Sequence, residues 1–345
     1  MAIKQFHFAV VGATGAVGQQ IINTLEKRAL PIKKLTLLSS ARSAGSSILF
    51  KGESITVQEA TPEAFEGVDI ALFSAGGSVS KKLAPEAVKR GALVIDNTSA
   101  YRMDPDVPLV VPEVNKEDIF LNKGIIANPN CSTIQMVVAL QPLREKYGLK
   151  RIIVSTYQSV SGSGQSAITE LKRQSQAVLN EEDVNPDILP VGSLPKKHQI
   201  AFNAIPQIDV FQENGFTFEE MKMINETKKI MHDDTLQVSA TCVRIPVVTG
   251  HSESVFVELE NEPDVAEVRE LLSQSSGIIV EDDPADQLYP LATRAEGELE
   301  VFVGRIRKDL DVPNSLHMWV VSDNLLKGAA WNSVQIAEAY IEGKS

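Results

Sequence analysis

The chain has 345 residues, of which 43% are hydrophobic and 23% charged, and this composition is typical of a globular protein with two domains. No apolar stretch approaches the roughly 18 residues that a membrane span needs. The net charge of -12 opposes non-specific nucleic-acid binding, which depends on clustered lysine and arginine. We therefore expect a soluble protein with neither nucleic acid nor a membrane as a partner.

Along the first 130 residues, short β-branched runs alternate with amphipathic helical stretches, a pattern that predicts βαβ units and a parallel sheet. The first apolar run leads directly into a glycine loop, which indicates a strand and not a signal peptide. We predict strands at residues 6–11, 35–38, 70–74, 93–96 and 124–127, and helices at 17–28 and 79–90. The predicted fold is a doubly wound α/β (Rossmann) dinucleotide-binding domain.

The motif Gly12-Ala-Thr-Gly-Ala-Val-Gly18 stands between the first predicted strand and the first predicted helix, the context of a dinucleotide-binding loop. Glycines allow the backbone to approach the pyrophosphate at the helix N-terminus. The spacing departs from the usual G-x-G-x-x-G, so a purely structural glycine turn is the alternative. The predicted cofactor contacts in this loop are Gly12, Thr14, Gly15, Ala16, Val17 and Gly18.

The second predicted strand ends in Ser39-Ser-Ala-Arg-Ser43, without the acidic residue that holds the ribose 2'-hydroxyl in NAD sites. Arg42, flanked by the hydroxyls of Ser39 and Ser43, is suited to pair with a 2'-phosphate. The segment therefore predicts NADP as the cofactor. The alternative is that Arg42 is a solvated loop charge.

After residue 131 the order of strand-like and helical segments becomes typical of an α+β domain. We predict a helix from 131 to about 146, strands at 151–157, 235–244, 252–259 and 315–321, and helices at 217–231 and 265–273. A last helical stretch, 324–341, is expected to return to the first domain. The predicted domains are 1–130 with 324–345, which bind NADP, and 131–323, which carries catalysis and dimerisation.

Cys131 follows a predicted strand and a Pro-containing turn, and it opens a predicted helix. A thiol at this position meets unpaired backbone N–H groups and the positive end of the helix dipole, which favour the thiolate. Cys242 lies inside a strand-like run and is expected to be packed in the core. Two cysteines are too few for a disulfide framework and indicate a reducing compartment, so we expect a cytoplasmic protein. The five histidines lack metal-ligand spacing, and no metal is expected.

Five blocks occur in order across nearly the whole chain: residues 12–18, Asn97-Thr-Ser-Ala-Tyr-Arg102, Asn128-Pro-Asn-Cys-Ser-Thr133, Gln158-Ser-Val-Ser-Gly-Ser-Gly164 and Arg244-Ile-Pro-Val-Val-Thr-Gly-His251. Together they resemble the aspartate-semialdehyde dehydrogenase family. N-acetyl-gamma-glutamyl-phosphate reductases normally show Asn-Pro-Gly-Cys-Tyr-Pro around their thiol, and glyceraldehyde-phosphate dehydrogenases show Ser-Cys-Thr-Thr-Asn. This chain has neither.

The resemblance implies an NADP-dependent phosphorylating aldehyde dehydrogenase in which Cys131 is the nucleophile. His251 would be the general base and Gln158 would orient the substrate. Arg244 is implied as the clamp for the substrate carboxylate. The remaining implied site residues are Arg102, Asn130 and Lys222 for substrate or phosphate, Glu219 for the substrate ammonium, and Ser161, Gly162 and Asn324 for the cofactor.

Glu219 is chosen over Glu220 because it lies three residues before Lys222, so that both project from one helical face. A surface ion pair is the alternative interpretation of this spacing.

The implied reaction converts L-aspartyl 4-phosphate and NADPH to L-aspartate 4-semialdehyde, phosphate and NADP, a step in lysine, threonine and methionine biosynthesis. Members of the family are usually homodimers joined through the second domain. Two other functions stay open: a related acyl-phosphate reductase with a different acyl chain, and a catalytically silent dinucleotide-binding protein. The second would usually lack Cys131 or His251.

Overall fold

The N-terminal part of the chain folds around a parallel sheet. The structure, a computed structural model, describes residues 4–344. Its first elements are β1 (Phe6–Val11), α1 (Ala16–Lys27), β2 (Ile32–Ser39), β3 (Ser47–Phe50), β4 (Glu53–Thr56), β5 (Gln58–Glu59), β6 (Ile70–Phe73), α2 (Gly77–Lys89), β7 (Leu93–Asp96), α3 (Pro112–Asn115) and β8 (Ile125–Ala127). The strands of the parallel sheet lie in the order β5-β2-β1-β6-β7-β8, and β3 pairs with β4 in a separate hairpin.

The strands at the centre of this sheet are buried on both faces, which explains their uninterrupted apolar sequences. Every residue of β1, β6 and β7 is buried. Chain order reverses at β1, because β2 lies on one side of it and β6 on the other. In open sheets of this kind ligands bind at such a switch point, beyond the carboxyl ends of the strands. The predicted doubly wound domain is confirmed.

The second part of the chain is built on a mixed sheet. Its elements are α4 (Cys131–Tyr147), β9 (Arg151–Gln158), α5 (Gln165–Leu179), α6 (Phe218–Ile230), β10 (Gln237–Arg244), β11 (His251–Glu258), α7 (Val265–Ser273), β12 (Ile278–Val280), α8 (Ala292–Ala295), β13 (Val301–Lys308) and β14 (Ser315–Ser322). The strand order is β10-β9-β11-β14-β13-β12. β11 runs antiparallel to both neighbours, whereas β9 and β10 are parallel. This arrangement fits the predicted α+β class.

The two faces of the mixed sheet differ. Side chains alternate along β9 and β11, so that one face is buried throughout and the other is partly exposed. α4 packs on the buried face, against β11, β13 and β14, and is itself buried along most of its length. The partly exposed face carries Ile153, Tyr157, Phe256 and Trp319.

The chain divides into two compact units, with boundaries between Asn130 and Cys131 and between Gly328 and Ala329. The second boundary lies five residues later than expected. Residues 1–3 and 345, which the predicted first domain includes, lie outside the described residues. No helix of the described part is long and apolar enough to cross a membrane.

The C-terminal helix begins later than the sequence predicts. Helix α9 spans Trp331–Glu342, after a π-helical turn at Leu326–Ala330. Asn324 is not part of a helix that returns to the first unit, because its side-chain oxygen accepts the Gly250 N–H at 2.9 Å inside the second unit. Within the first unit α9 packs against α1, where Arg28 Nε lies 2.7 Å from a Glu338 oxygen.

Candidate active site

The glycine loop after β1 borders a cavity of about 580 Å³ in the first unit. A Cβ on Gly18 would lie 2.1 Å from the Gly12 oxygen, so α1 can start this close to the loop only with glycine at that position. The start of α1 has no side-chain cap, which leaves its first N–H groups able to meet an anion. Of the predicted cofactor contacts, the cavity is lined by Gly12, Thr14, Gly15 and Ser39.

The other predicted contacts in this unit do not line the cavity. Ala16, Val17 and Gly18 form the first turn of α1, while Arg42 is exposed and Ser43 half-buried in the turn after β2. Thr14 and Ser39 hydrogen-bond each other through their hydroxyls at 2.8 Å.

Two charged residues that the sequence analysis did not single out line the same cavity, Glu59 and Lys82. Glu59 belongs to β5, and its backbone pairs with Ser39. The cavity therefore has an acid beside β2 even though the segment 39–43 contains none. Lys82 lies on α2, the helix after β6, and its position at the switch point is the signal by which the sequence could have indicated it.

Polar side chains gather where β9, β10 and β11 meet in the second unit. Gln158 pairs with Arg244, and the register that pairs Tyr157 with Ser252 brings Gln158 beside His251. All three side chains of this polar row, Arg244, Gln158 and His251, are buried. The structure thus brings together three predicted site residues that are distant in the sequence.

Cys131 is the first residue of α4, is not part of a disulfide, and keeps partial solvent access. One turn later, Gln135 donates its side-chain N–H to the His251 carbonyl oxygen at 3.3 Å, which places the start of α4 at the end of the sheet that carries the polar row. A Cβ on Gly328 would lie 2.7 Å from the Cys131 Cβ, so the backbone packs closely against the thiol-bearing residue.

Cys242, unlike Cys131, has no solvent access. It is fully buried in β10, and burial, reinforced by the charge of Glu219, raises the pKa of its thiol far above the ordinary value. Its sulfur lies 3.6 Å from the Met223 sulfur. Cys242 is therefore a packing residue, and Cys131 is the cysteine that an electrophile can reach.

The backbone hydrogen bond at Nδ1 favours one tautomer of the His251 imidazole. The Ser159 N–H donates to Nδ1 at 3.1 Å, so in the neutral ring the proton is on Nε2. Nε2 is buried and has no hydrogen-bond partner among the described residues. Burial, followed by the charge of Arg244, lowers the pKa of His251 to about 3. The ring is therefore neutral in the free protein and presents an N–H donor.

Arg244 lies beside the Nε2–H donor of His251. Its Nη1 donates to the Ser159 carbonyl oxygen at 2.7 Å, whereas its Nε has no partner among the described residues. Burial lowers the pKa of Arg244, and the charge of Glu219 opposes that shift. A Cβ on Gly162 would lie 3.1 Å from Arg244 Nη1 and 3.4 Å from His251 Nε2, so glycine keeps the space in front of both donors clear.

Glu219 and Lys222 form a partly buried ion pair on α6, in which Glu219 is buried and Lys222 half-buried. Lys222 Nζ lies 3.2 Å from Glu219 and 2.9 Å from Asp209, which the sequence analysis did not identify. Glu219 also accepts the Gln158 amide N–H at 3.2 Å. Glu220 is engaged elsewhere, in the capping box at the start of α6, which explains why Glu219 is the one that faces the polar row.

Asn324 and Ser161 stabilise the loops around His251. The Asn324 side-chain oxygen accepts from the hydroxyls of Ser159 at 3.0 Å and Ser161 at 3.2 Å, as well as from the Gly250 N–H. These bonds tie the loop after β9 to the residue before β11. Ser159, which the sequence analysis missed, contacts both His251 and Asn324.

Arg102 and Asn130 belong to the first unit. Arg102 is buried and donates to the backbone oxygens of Asn128 at 2.9 Å and Asn97 at 2.8 Å. Asn130 is buried and is the last residue of that unit, directly before Cys131. Among residues 4–344 no group of three or more His, Cys, Asp or Glu side chains is arranged to hold a metal ion.

Comparison with known families places these features in context. Residues 7–121 match the model of the semialdehyde dehydrogenase NAD binding domain, and residues 140–327 match that of the semialdehyde dehydrogenase dimerisation domain. The chain is 66% identical to the aspartate-semialdehyde dehydrogenase of Bacillus subtilis over 97% of both chains, and 55% identical to that of Aquifex aeolicus over 98% of both.

Solved structures show the same similarity. Aspartate semialdehyde dehydrogenase II of Vibrio cholerae complexed with ASA superposes with a TM-score of 0.94 at 47% identity, over 98% of this chain and 99% of that one. The enzyme of Candida albicans with NADP superposes with a TM-score of 0.75 at 28% identity, over 97% of this chain and 98% of that one.

Proposed function

Because the chain belongs to the aspartate-semialdehyde dehydrogenase family, we propose that it reduces L-aspartyl 4-phosphate to L-aspartate 4-semialdehyde through a thioester on Cys131. The observation that carries this proposal is the solvent-accessible thiol at the start of α4, at the end of the sheet where the polar row lies. The step belongs to lysine, threonine and methionine biosynthesis. Two cysteines without a disulfide fit a reducing compartment, which supports a cytoplasmic location.

The charged groups of the site match the charges of the substrate. The planar guanidinium of Arg244, whose buried Nε has no partner within residues 4–344, is suited to the substrate carboxylate. The buried carboxylate of Glu219 is suited to the substrate ammonium, and Gln158, hydrogen-bonded to Glu219, orients the substrate beside the thiol. For the phosphate we propose Lys222 on α6, and the phosphate-binding roles of Arg102 and Asn130 in the first unit stay predictions.

The chemistry follows from the thiol. The Cys131 thiolate attacks the C4 carbonyl of aspartyl phosphate, a C–S bond forms, and the bond from C4 to the phosphate oxygen breaks, which releases phosphate and leaves a thioester. When bound, the nicotinamide dinucleotide supplies a hydride to the thioester carbon. The resulting oxyanion collapses, the C–S bond breaks, and Cys131 returns to the thiolate as the aldehyde leaves.

His251 acts on the oxygen of the reacting carbonyl. Its Nε2–H is the donor of a neutral ring, and the space kept clear by Gly162 lies in front of it. A donor fixed at this position stabilises the negative charge that develops on the oxygen at each addition step. Action as a general base, the role that the resemblance implies, would require the tautomer with the proton on Nδ1, which lies 3.1 Å from both the N–H and the hydroxyl of Ser159.

The cavity of the first unit fits a dinucleotide. It combines the glycine loop, the uncapped start of α1 and space of about 580 Å³. We propose NADP, with the 2'-phosphate held by Arg42, which is exposed in the turn after β2, and by Lys82, which lines the cavity. Glu59 would repel a 2'-phosphate that approached it, so the positive charge of Lys82 is needed to offset the negative charge of Glu59.

Removal of either cation is expected to weaken NADP binding about tenfold or more, because one charge-assisted hydrogen bond is worth roughly 1.5–3 kcal/mol. Arg42→Ala and Lys82→Ala should leave the binding of NAD unchanged, as measured by titration of both cofactors. Glu59→Gln is the matched control and should strengthen NADP binding. Equal losses for the two cofactors would contradict this account of the 2'-phosphate.

We also propose a homodimer that forms through the partly exposed face of the mixed sheet. The side chains there include two aromatic pairs: Tyr157 with Trp319, with ring centroids 5.3 Å apart, and Phe256 with His317, at 5.2 Å. Ile153 on the same face is 38% exposed. Contiguous apolar surface of this kind is typical of a protein interface, and the match to a dimerisation domain over residues 140–327 supports the assignment.

The proposed function is tested with purified protein, aspartate semialdehyde, phosphate and NADP. We expect formation of NADPH that depends on phosphate, and none with N-acetylglutamate semialdehyde. Turnover of only the second substrate would show a related acyl-phosphate reductase with a different acyl chain. Binding of NADP without turnover of either would show a silent dinucleotide-binding protein.

A further inference from the structure

Ser159 is a buried residue that takes no part in the steps of the proposed reaction. It follows β9 directly, at the end of the sheet where the polar row lies, and it is fully buried. Its backbone carbonyl oxygen accepts from Arg244 Nη1 at 2.7 Å, and its backbone N–H donates to His251 Nδ1 at 3.1 Å. The backbone of this one residue therefore holds two members of the polar row.

The hydroxyl of Ser159 reaches the same ring nitrogen as its backbone N–H does. The hydroxyl oxygen lies 3.1 Å from His251 Nδ1, 3.0 Å from Asn324 Oδ1 and 3.1 Å from the hydroxyl oxygen of Ser161. A hydroxyl has one proton to donate and two lone pairs with which to accept. The direction of that proton therefore decides what the Ser159 oxygen can offer to Nδ1.

Asn324 provides an acceptor for the Ser159 hydroxyl proton. The Gly250 N–H can only donate, and its bond of 2.9 Å to Oδ1 fixes the orientation of the Asn324 amide. The amide Nδ2 then donates to the Ser161 hydroxyl at 3.0 Å. Because Oδ1 can only accept, the Ser159 hydroxyl donates to it and keeps a lone pair available to Nδ1. Ser159 thus presents both a donor, its N–H, and an acceptor, its hydroxyl oxygen, to one nitrogen of the imidazole.

We infer that Ser159 allows the neutral imidazole of His251 to carry its proton on either ring nitrogen. When the Ser159 N–H is bonded to Nδ1, the proton is on Nε2, which acts as a donor. When the proton is on Nδ1, the Ser159 oxygen accepts it, and the bare Nε2 can take up a proton as a base. The ring holds one proton in both forms and Ser159 keeps its own, so no other group changes its protonation state.

Ser159 is a positioning residue, since it acts on the reacting groups only through His251, and its role in turnover rests on the proposed function. The first form prevails in the free protein, because the backbone N–H is fixed in place. The second form gives His251 the base role that the family resemblance implies. The pair of contacts at Nδ1 therefore accounts for two roles of one imidazole.

Ser159→Ala removes the hydroxyl acceptor and keeps the N–H donor, so the imidazole should hold its proton on Nε2 alone. Nitrogen NMR of protein that is isotope-labelled in its histidine rings measures this, because protonated and bare ring nitrogens resonate far apart. The ring is neutral near neutral pH, since burial, followed by the charge of Arg244, lowers the pKa of His251 to about 3. Relative to the original protein, the Nδ1 signal should move toward the bare position and the Nε2 signal toward the protonated one. The spectrum of His251→Ala identifies both signals.

Ser166→Ala is the matched control, because Ser166 is an exposed serine on α5. This variant should move neither signal of His251. Movement of the Nδ1 signal alone in Ser159→Ala would overturn the inference, because it would show that the hydroxyl only donates to this nitrogen. Unchanged positions of both signals would overturn it too, because the hydroxyl would then have no influence on the ring.

In turnover, Ser159→Ala should lower kcat about tenfold, the scale of one hydrogen bond to an active-site group, and leave KM within about twofold. Substrate binding is preserved because Arg244 bonds to the backbone carbonyl oxygen of Ser159, which the substitution keeps. An unchanged kcat, or a loss confined to KM, would overturn the role of Ser159 in turnover. Absence of turnover in the original protein would overturn the proposed function and leave the NMR result standing, because the spectra need no substrate.

Discussion

Cys131→Ala is expected to abolish the phosphate-dependent oxidation of aspartate semialdehyde, with a loss in kcat of at least about 10⁴-fold, because no other group can form the thioester. The affinity for NADP should change little, since the glycine loop and the cavity belong to the other unit. Steady-state rates and a fluorescence titration with NADPH measure the two quantities.

Cys242→Ala is the control for this experiment. Its thiol is buried, with a raised pKa, so the variant should keep its kcat within about twofold. Iodoacetamide should modify Cys131 and leave Cys242 unmodified in the folded protein. Turnover that survives in Cys131→Ala would remove the covalent mechanism from the proposal.

His251→Ala is expected to reduce kcat by about 10² to 10⁴, the range for a positioned hydrogen-bond donor or acid-base group in an active site. The donor that faces the space in front of Gly162 is lost, while Arg244 and Glu219 remain to bind the substrate, so KM should change much less. His198→Ala, an exposed histidine outside the site, should have no comparable effect.

The pH dependence tests the neutral state of His251. With the pKa of His251 lowered to about 3, the ring does not titrate between about pH 5 and about pH 8. The plot of kcat against pH should therefore show no inflection from His251 in this range. The stability that it contributes is fully present above its ordinary pKa and is lost as the pH falls toward 3. A limb near pH 6.5 that disappears in His251→Ala would show instead that the ring becomes charged during turnover.

The strongly apolar elements of the fold were predictable from the sequence. The strands β1, β6 and β7 are buried on both faces and carry uninterrupted apolar runs, and the amphipathic helices α1 and α2 end within one or two residues of their predicted limits. The short strands β3, β4 and β5 were missed because their residues are mostly exposed and lack an apolar period. For the same reason Glu59 could not be connected with the cavity.

The residues of the candidate site were identified by motif and by resemblance, but their partners were not. Sequence spacing cannot show that Gln158, Arg244 and His251 become neighbours, because their proximity depends on the register between β9, β10 and β11. Asp209 and Ser159 are identified only by their contacts in the structure, with Lys222 and with His251 respectively. The helical spacing around Asn324 was misleading, because local hydrogen bonds hold this residue in a loop of the second unit.

The most direct test of the account is to trap the thioester. The protein is incubated with L-aspartyl 4-phosphate without NADPH, quenched in acid, digested and analysed by mass spectrometry. We predict one aspartyl adduct, on the peptide that contains Cys131, which hydroxylamine removes and which does not form in Cys131→Ala. An adduct on Cys242, or rapid turnover with no adduct on Cys131, would contradict the assignment of the nucleophile.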